Sequence, residues 1–151
     1  IRLSLVGSEM CIRDSLQVDD HHLVEDVGIV LGSALSRALG DRSGIARYGW
    51  AAIPMDEVLA LTAVDLGGRF TFVTEYVPQR ERVGDLSTEL VNHFFRSLAV
   101  EARMTLHQRL PSPGENEHHR IEALFKSFAR ALRAALTLTG EAGMPSTKGV
   151  L

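Results

Sequence analysis

The chain has 151 residues, 45% hydrophobic and 23% charged, enough for one globular domain with a real core. A formal net charge of −3 gives no electrostatic reason to expect nucleic-acid binding, and no apolar run is long enough to span a bilayer. Cys11 is the only cysteine, which excludes a disulfide framework and a thiolate metal site and fits a reducing cytoplasm.

Residues 1–15, IRLSLVGSEMCIRDS, show neither helical nor strand periodicity. They read as a non-native tail, with native sequence expected to begin near Leu16 and an N-terminal portion missing. Residues 21–39 predict a helix: Val24, Val27, Leu31, Leu35 and Leu39 form one apolar stripe, Asp19 and Asp20 precede it, and Gly40 is a C-terminal stop. Residues 46–53 predict an extended stretch closed by Pro54. Residues 58–65 and 70–77 flank Gly67-Gly68 and predict a hairpin. Residues 88–101 predict a helix with Leu90, Val91, Phe94 and Leu98 inward, and 104–110 a short strand. A loop over 111–117 leads to a second long helix, 118–138, with Ile121, Leu124, Phe125, Phe128 and Leu132 on its core face. The tail from 140 to 151 reads as irregular.

Both long helices open with the same motif, His-His-x-x-Glu: His21, His22 and Glu25, then His118, His119 and Glu122, 97 residues apart. The likeness continues at that offset, Ala34, Leu35, Ala38 and Leu39 matching Ala131, Leu132, Ala135 and Leu136. Two copies at one offset predict a duplicated unit. Residues 16–40 would be the last helix of a first repeat and 41–139 a second repeat.

Helical residues turn by about 100° each, so adjacent histidines diverge and do not grip one ion. A residue three or four places on returns to the first face. Glu25 can thus share a metal with His21 or His22, and Glu122 with His118 or His119, while the other histidine serves a different site. Two metal sites are expected, each completed from other elements or another subunit. Imidazole and carboxylate without thiolate suit Mn²⁺, Fe²⁺ or Zn²⁺. His93, on the preceding helix, is a further candidate ligand. The bland reading, surface histidines at helix starts, is favoured for one such motif but not for two.

A basic set is spread along the chain: Arg47, Arg69, Lys126 and Lys148. Lys126 lies four residues after Glu122, placed either as a phosphate anchor or as an ordinary i,i+4 partner of Glu122. The terminal Ser146-Thr-Lys-Gly149 offers a hydroxyl, backbone N–H groups and an ammonium, which suit a phosphate.

With these residues placed, the sequence resembles imidazoleglycerol-phosphate dehydratase of histidine biosynthesis. The segments that carry the resemblance include Asp19-Asp-His-His-Leu-Val-Glu25, Pro54-Met-Asp-Glu57, Asp65-Leu-Gly-Gly-Arg69, Thr88-Glu-Leu-Val-Asn-His93, Glu115-Asn-Glu-His-His119 and Pro145-Ser-Thr-Lys-Gly149. The resemblance implies an α+β fold of duplicated half-domains like the second domain of ribosomal protein S5, with helices on one face of a mixed sheet. It implies a cytoplasmic homo-oligomer of twenty-four subunits built from trimers, and two Mn²⁺ per active site with ligands from more than one subunit. On it, His21, His22, Glu25, His93, His118, His119 and Glu122 match metal-ligand positions. Arg47, Arg69, Lys126, Ser146 and Lys148 match positions for the substrate phosphate. The implied activity is that of a carbon–oxygen hydro-lyase, converting imidazoleglycerol phosphate to imidazole acetol phosphate. The proton removed sits on carbon with no adjacent carbonyl, so electrons must pass through the imidazole ring to expel the hydroxyl. Glu25 and Glu122 are candidate carboxylate bases, as is an acidic residue of the N-terminal part expected to be missing.

Two departures stand out: the loop Pro111-Ser-Pro-Gly114 is longer than usual, and the N-terminal part, with a further histidine ligand and an acidic residue, is missing. Low activity is therefore expected of this chain alone. Two other readings compete: a different dinuclear metalloenzyme acting on a phosphorylated small molecule, and an S5-like RNA-binding module. The acidic balance argues against the second.

Overall fold

Residues 20–140 are described by the computed structural model, and the first of them open helix α1 (Asp20–Leu39). Asp20 sits in its first turn, where a carboxylate suits the positive end of the helix, and Gly40 follows at φ +51°. Strands β1 (Tyr48–Met55) and β2 (Val58–Asp65) form an antiparallel hairpin. Strand β3 (Thr71–Thr74) and a short ladder of β4 (Arg82–Val83) with β5 (Leu86–Ser87) follow. Helix α2 (Leu90–Glu101), strand β6 (Thr105–Ser112) and helix α3 (Glu117–Ala135) complete an α+β fold.

The main sheet has the order β1-β2-β6-β3, with β6 antiparallel to β2 and parallel to β3. Period-two alternation sends Val58, Ala60, Thr62 and Val64 of β2, and Leu106, Gln108 and Leu110 of β6, into the core. There they meet Leu124, Phe128 and Ala131 of α3 and Phe95 and Leu98 of α2. Thr62 Oγ1 and Ser127 Oγ share a hydrogen bond of 2.6 Å across the buried β2–α3 interface. The β1 residues Tyr48, Trp50, Ala52 and Pro54 are exposed. Buried Arg42 donates to the carbonyls of Leu66 (2.7 Å) and Ala102 (2.9 Å), tying the end of α1 to those of β2 and α2.

Five expectations need correction. The Gly67-Gly68 turn does not close a hairpin: β6 lies between β2 and β3, so the connection must cross a strand rather than join neighbours. The tight hairpin is β1–β2, over Asp56-Glu57. Pro54 does not end β1, which continues to Met55; an edge strand tolerates the missing N–H. The α1 stripe is not buried as such. Gly28 and Gly32 are the buried positions, and Leu31 is 48% exposed, because α1 rests on α2 through its glycine face. On α3, Phe125 is 37% exposed and Leu132 half-buried, while the small residues Ala123, Ser127, Ala131 and Ala135 face the sheet. The helix ends at Ala135, and Leu138 instead bridges to Ile45. None of the helices among the described residues is long and apolar enough to cross a membrane. The segment assigned as a tail, and Asp19, lie outside the described residues.

Candidate metal centre

Each His-His-x-x-Glu motif occupies the first turns of its helix, as its spacing predicts. Adjacent rings diverge: His21 and His22 have centroids 5.8 Å apart and planes at 86°, His118 and His119 6.2 Å and 68°. In α1, His21 Nε2 lies 4.0 Å from Glu25 Oε2. The close crossing of α1 and α2 brings the His93 ring to 4.7 Å from that of His21. His21 thus approaches both Glu25 and His93, and His22 is exposed.

The start of α3 is built more firmly. Asn116 is its N-cap, its side chain accepting from the backbone N–H of His118 (3.0 Å) and His119 (3.4 Å). Buried Glu117 accepts from Tyr76 Oη at 2.6 Å, Gln79 N at 2.9 Å and Arg120 Nη1 at 3.1 Å. Burial, then the Glu117 carboxylate, pushes the Tyr76 hydroxyl pKa up. Around this anchor the two histidines part. His118 Nε2 lies 3.3 Å from Glu122 Oε2, and Glu122 Oε1 also accepts from Lys126 Nζ at 2.7 Å. The Lys126 ammonium holds the Glu122 carboxyl below its ordinary range.

His119 turns instead to the β1–β2 turn. Its Nδ1 lies 3.0 Å from Glu57 Oε2 and its Nε2 3.5 Å from Asp56 Oδ2. Glu57 is held down to about 2, first by His119 and then by backbone N–H groups including that of Asn116. The same hydrogen bond raises His119 above its ordinary value. Asp56, Glu57 and His119 present three donor atoms within 4.8 Å of one another, a spacing that can hold a metal ion. Arg80, Gly114, Glu115 and Asn116 join Glu57 and His119 around an open cleft of about 710 Å³.

The basic residues are dispersed. Arg47, at φ +68° and nearly buried, makes a two-point ion pair with Asp65, Nε to Oδ1 at 2.7 Å and Nη2 to Oδ2 at 3.2 Å. Arg69 is exposed, and Lys126 takes the i,i+4 pairing with Glu122. Ser146 and Lys148 lie outside the described residues. The sequence reading gave no role to Asp56, Glu57 or Asn116. The signals were present: Asn116 just ahead of an acidic first turn marks an N-cap, and Pro54-Met-Asp-Glu57 stood among the segments of resemblance.

Comparison with known proteins converges on one family. The family model described as imidazoleglycerol-phosphate dehydratase matches residues 1–132. The dehydratase of Chlorobium chlorochromatii is 57% identical over 136 residues, 90% of this chain and 68% of that protein. That of Methanococcoides burtonii is also 57% identical over 136 residues, 90% of this chain and 70% of its own length. Among solved structures, the Staphylococcus aureus enzyme superposes with a TM-score of 0.77 at 48% identity, covering 80% of this chain and 70% of that one. The Pyrococcus furiosus enzyme, solved in complex with (S)-C348, gives 0.76 at 34% identity, covering 99% and 86%. The chain therefore belongs to the imidazoleglycerol-phosphate dehydratase family of hydro-lyases.

Proposed function

We propose that the protein removes water from imidazoleglycerol phosphate to give imidazole acetol phosphate in histidine biosynthesis, using Mn²⁺ held by its two His-His-x-x-Glu helices. The observation that carries this reading is the side-chain arrangement at both helix starts. One histidine of each pair approaches its own glutamate, at 4.0 Å in α1 and 3.3 Å in α3, and the neighbouring ring points elsewhere.

The donor set fits the ion. Nitrogen and oxygen donors without sulfur suit a six-coordinate Mn²⁺. Adjacent ligands on such an ion lie about 3 Å apart, close to the separation of His118 Nε2 and Glu122 Oε2. His21, Glu25 and His93 would hold ion in one group, His118 and Glu122 in another, with His22 and His119 extending to further sites. Neither group fills six positions, which supports a homo-oligomer whose subunits complete one another's sites. Bound Mn²⁺ supplies Lewis acidity, making the substrate imidazole a better electron acceptor.

The chain's own residues would then orient the substrate and take its proton. Glu122 meets His118 through Oε2 and Lys126 through Oε1; an ion on that carboxylate would weaken its hold on the ammonium and leave Lys126 available to the substrate phosphate. Arg69, exposed at the start of β3, and the Ser146 and Lys148 loop are the further phosphate candidates. Arg47 matches a phosphate position by resemblance, and any such contact must compete with Asp65. Glu25 or Glu122 would take the carbon-bound proton. Incubating the purified full-length protein with imidazoleglycerol phosphate tests the reading: an α-keto product supports it, and Mn²⁺ binding without that product rejects it.

A further inference from the structure

We propose that Glu57, in the β1–β2 turn, is a positioning residue that fixes the ring orientation and tautomer of His119, so that Nε2 carries the lone pair for the metal. This rests on the reading of His119 as a ligand. The carboxylate is acceptor-only, and both its oxygens are engaged. Oε1 takes the backbone N–H of Asn116 at 3.1 Å and of Glu115 at 3.4 Å; Oε2 lies 3.0 Å from His119 Nδ1. Two acceptors face the ring, Glu57 at 3.0 Å from Nδ1 and Asp56 Oδ2 at 3.5 Å from Nε2; the nearer places the proton of a neutral ring on Nδ1 and leaves the lone pair on Nε2.

The contact is built into the fold on both sides. Asp56-Glu57 is the two-residue turn between paired Met55 and Val58, with Asp56 at φ +48°, so the turn's backbone sets where Glu57 projects. The receiving loop makes room for it. Gly114 sits at φ +60°, and a Cβ there would fall 2.6 Å from Glu57 Cγ and 2.8 Å from Oε1. One carboxylate thus clamps three points of the α3 entry: two backbone amides and the ring. Its spent oxygens favour orienting His119 over ligating the ion directly, although its donor atom is near enough to do so.

Glu57→Gln separates the two roles. The amide oxygen is best placed on the two backbone donors, which turns the NH₂ toward the ring. The ring must then accept at Nδ1 and carry its proton on Nε2, where it blocks the metal.

The experiment is paired. Nitrogen-15 spectra of histidine-labelled, metal-free protein at alkaline pH report the His119 tautomer, and Mn²⁺ titration calorimetry reports affinity. Wild type is expected as Nδ1–H, and E57Q as Nε2–H with affinity at this site lowered about 10- to 100-fold. A merely structural role for Glu57 would lower thermal stability without moving the tautomer. Wild-type His119 in the Nε2–H form overturns the inference even if E57Q does not fold. If wild type binds no Mn²⁺, the metal reading fails. If wild type binds it and E57Q binds equally well, or keeps Nδ1–H, the role of Glu57 fails.

Discussion

Gly32→Ala tests the packing that brings together the first proposed metal group. Helix α1 rests on α2 through Gly28 and Gly32. A Cβ on Gly32 would lie 2.5 Å from Leu98 O, 2.7 Å from Glu101 Cβ and 3.0 Å from Ala102 N. Two of these three are backbone atoms of α2 and cannot swing aside. Contacts below 3.0 Å are essentially never seen and comfortable ones begin near 3.4 Å, so the helices must part by roughly 0.5–0.9 Å. Overpacking of this kind costs about 1–3 kcal/mol, and rigid neighbours place it at the upper end. Alanine returns about 1 kcal/mol of helix propensity. The net expectation is a loss of about 1–2 kcal/mol, read as a lower urea midpoint at unchanged slope. Mn²⁺ affinity at His21, Glu25 and His93 should fall with it, since the same crossing sets their approach. A G32A protein about 1 kcal/mol more stable than wild type, the propensity gain alone, would refute the close crossing.

Four further outcomes rest on other contacts. Asp65→Ala leaves the nearly buried Arg47 guanidinium without its carboxylate and should cost about 2–3 kcal/mol in urea unfolding, below the full figure for a wholly buried pair because Asp65 keeps some solvent contact. Tyr76→Phe removes a buried donor to Glu117 and should cost about 1–3 kcal/mol by the same measurement. The Glu57–His119 pair sets a pH window. Glu57 is depressed, so its contribution is present above its ordinary 4.5 and lost as pH falls toward about 2. His119 is raised, so its contribution is full below its ordinary 6.5 and lost as pH rises through its higher folded value. The Tm gap between metal-free wild type and E57Q should be largest between 4.5 and 6.5. Mn²⁺ affinity should rise with pH through that raised value, because the proton competes for His119.

Helical periodicity carried the sequence reading furthest. It located α1, α2 and α3 within a few residues, and it placed the paired histidines on diverging faces, because a fixed rotation per residue needs no knowledge of the rest of the fold. The sheet was less legible. Val58–Asp65 and Thr71–Thr74 are strands, but which strand lies beside which depends on β6 entering from 30 or more residues away, a choice no local turn signal records. The α1 stripe misled for a related reason. Apolar residues at helical spacing show where a core face exists, whereas Gly28 and Gly32 decide which face a neighbouring helix can approach. Within one helix, the approach of a histidine to the glutamate one turn on was readable from spacing. Glu57 was not, because it meets His119 across 62 positions of sequence through the β1–β2 turn.

The most direct test is dehydration of imidazoleglycerol phosphate by the full-length protein, stripped with chelator and then titrated with Mn²⁺. The account predicts no α-keto product after stripping and recovery that saturates as Mn²⁺ fills the histidine–glutamate groups, with His118→Ala failing to recover. Full turnover in the presence of chelator, or Mn²⁺ bound at these groups with no product formed, would contradict it.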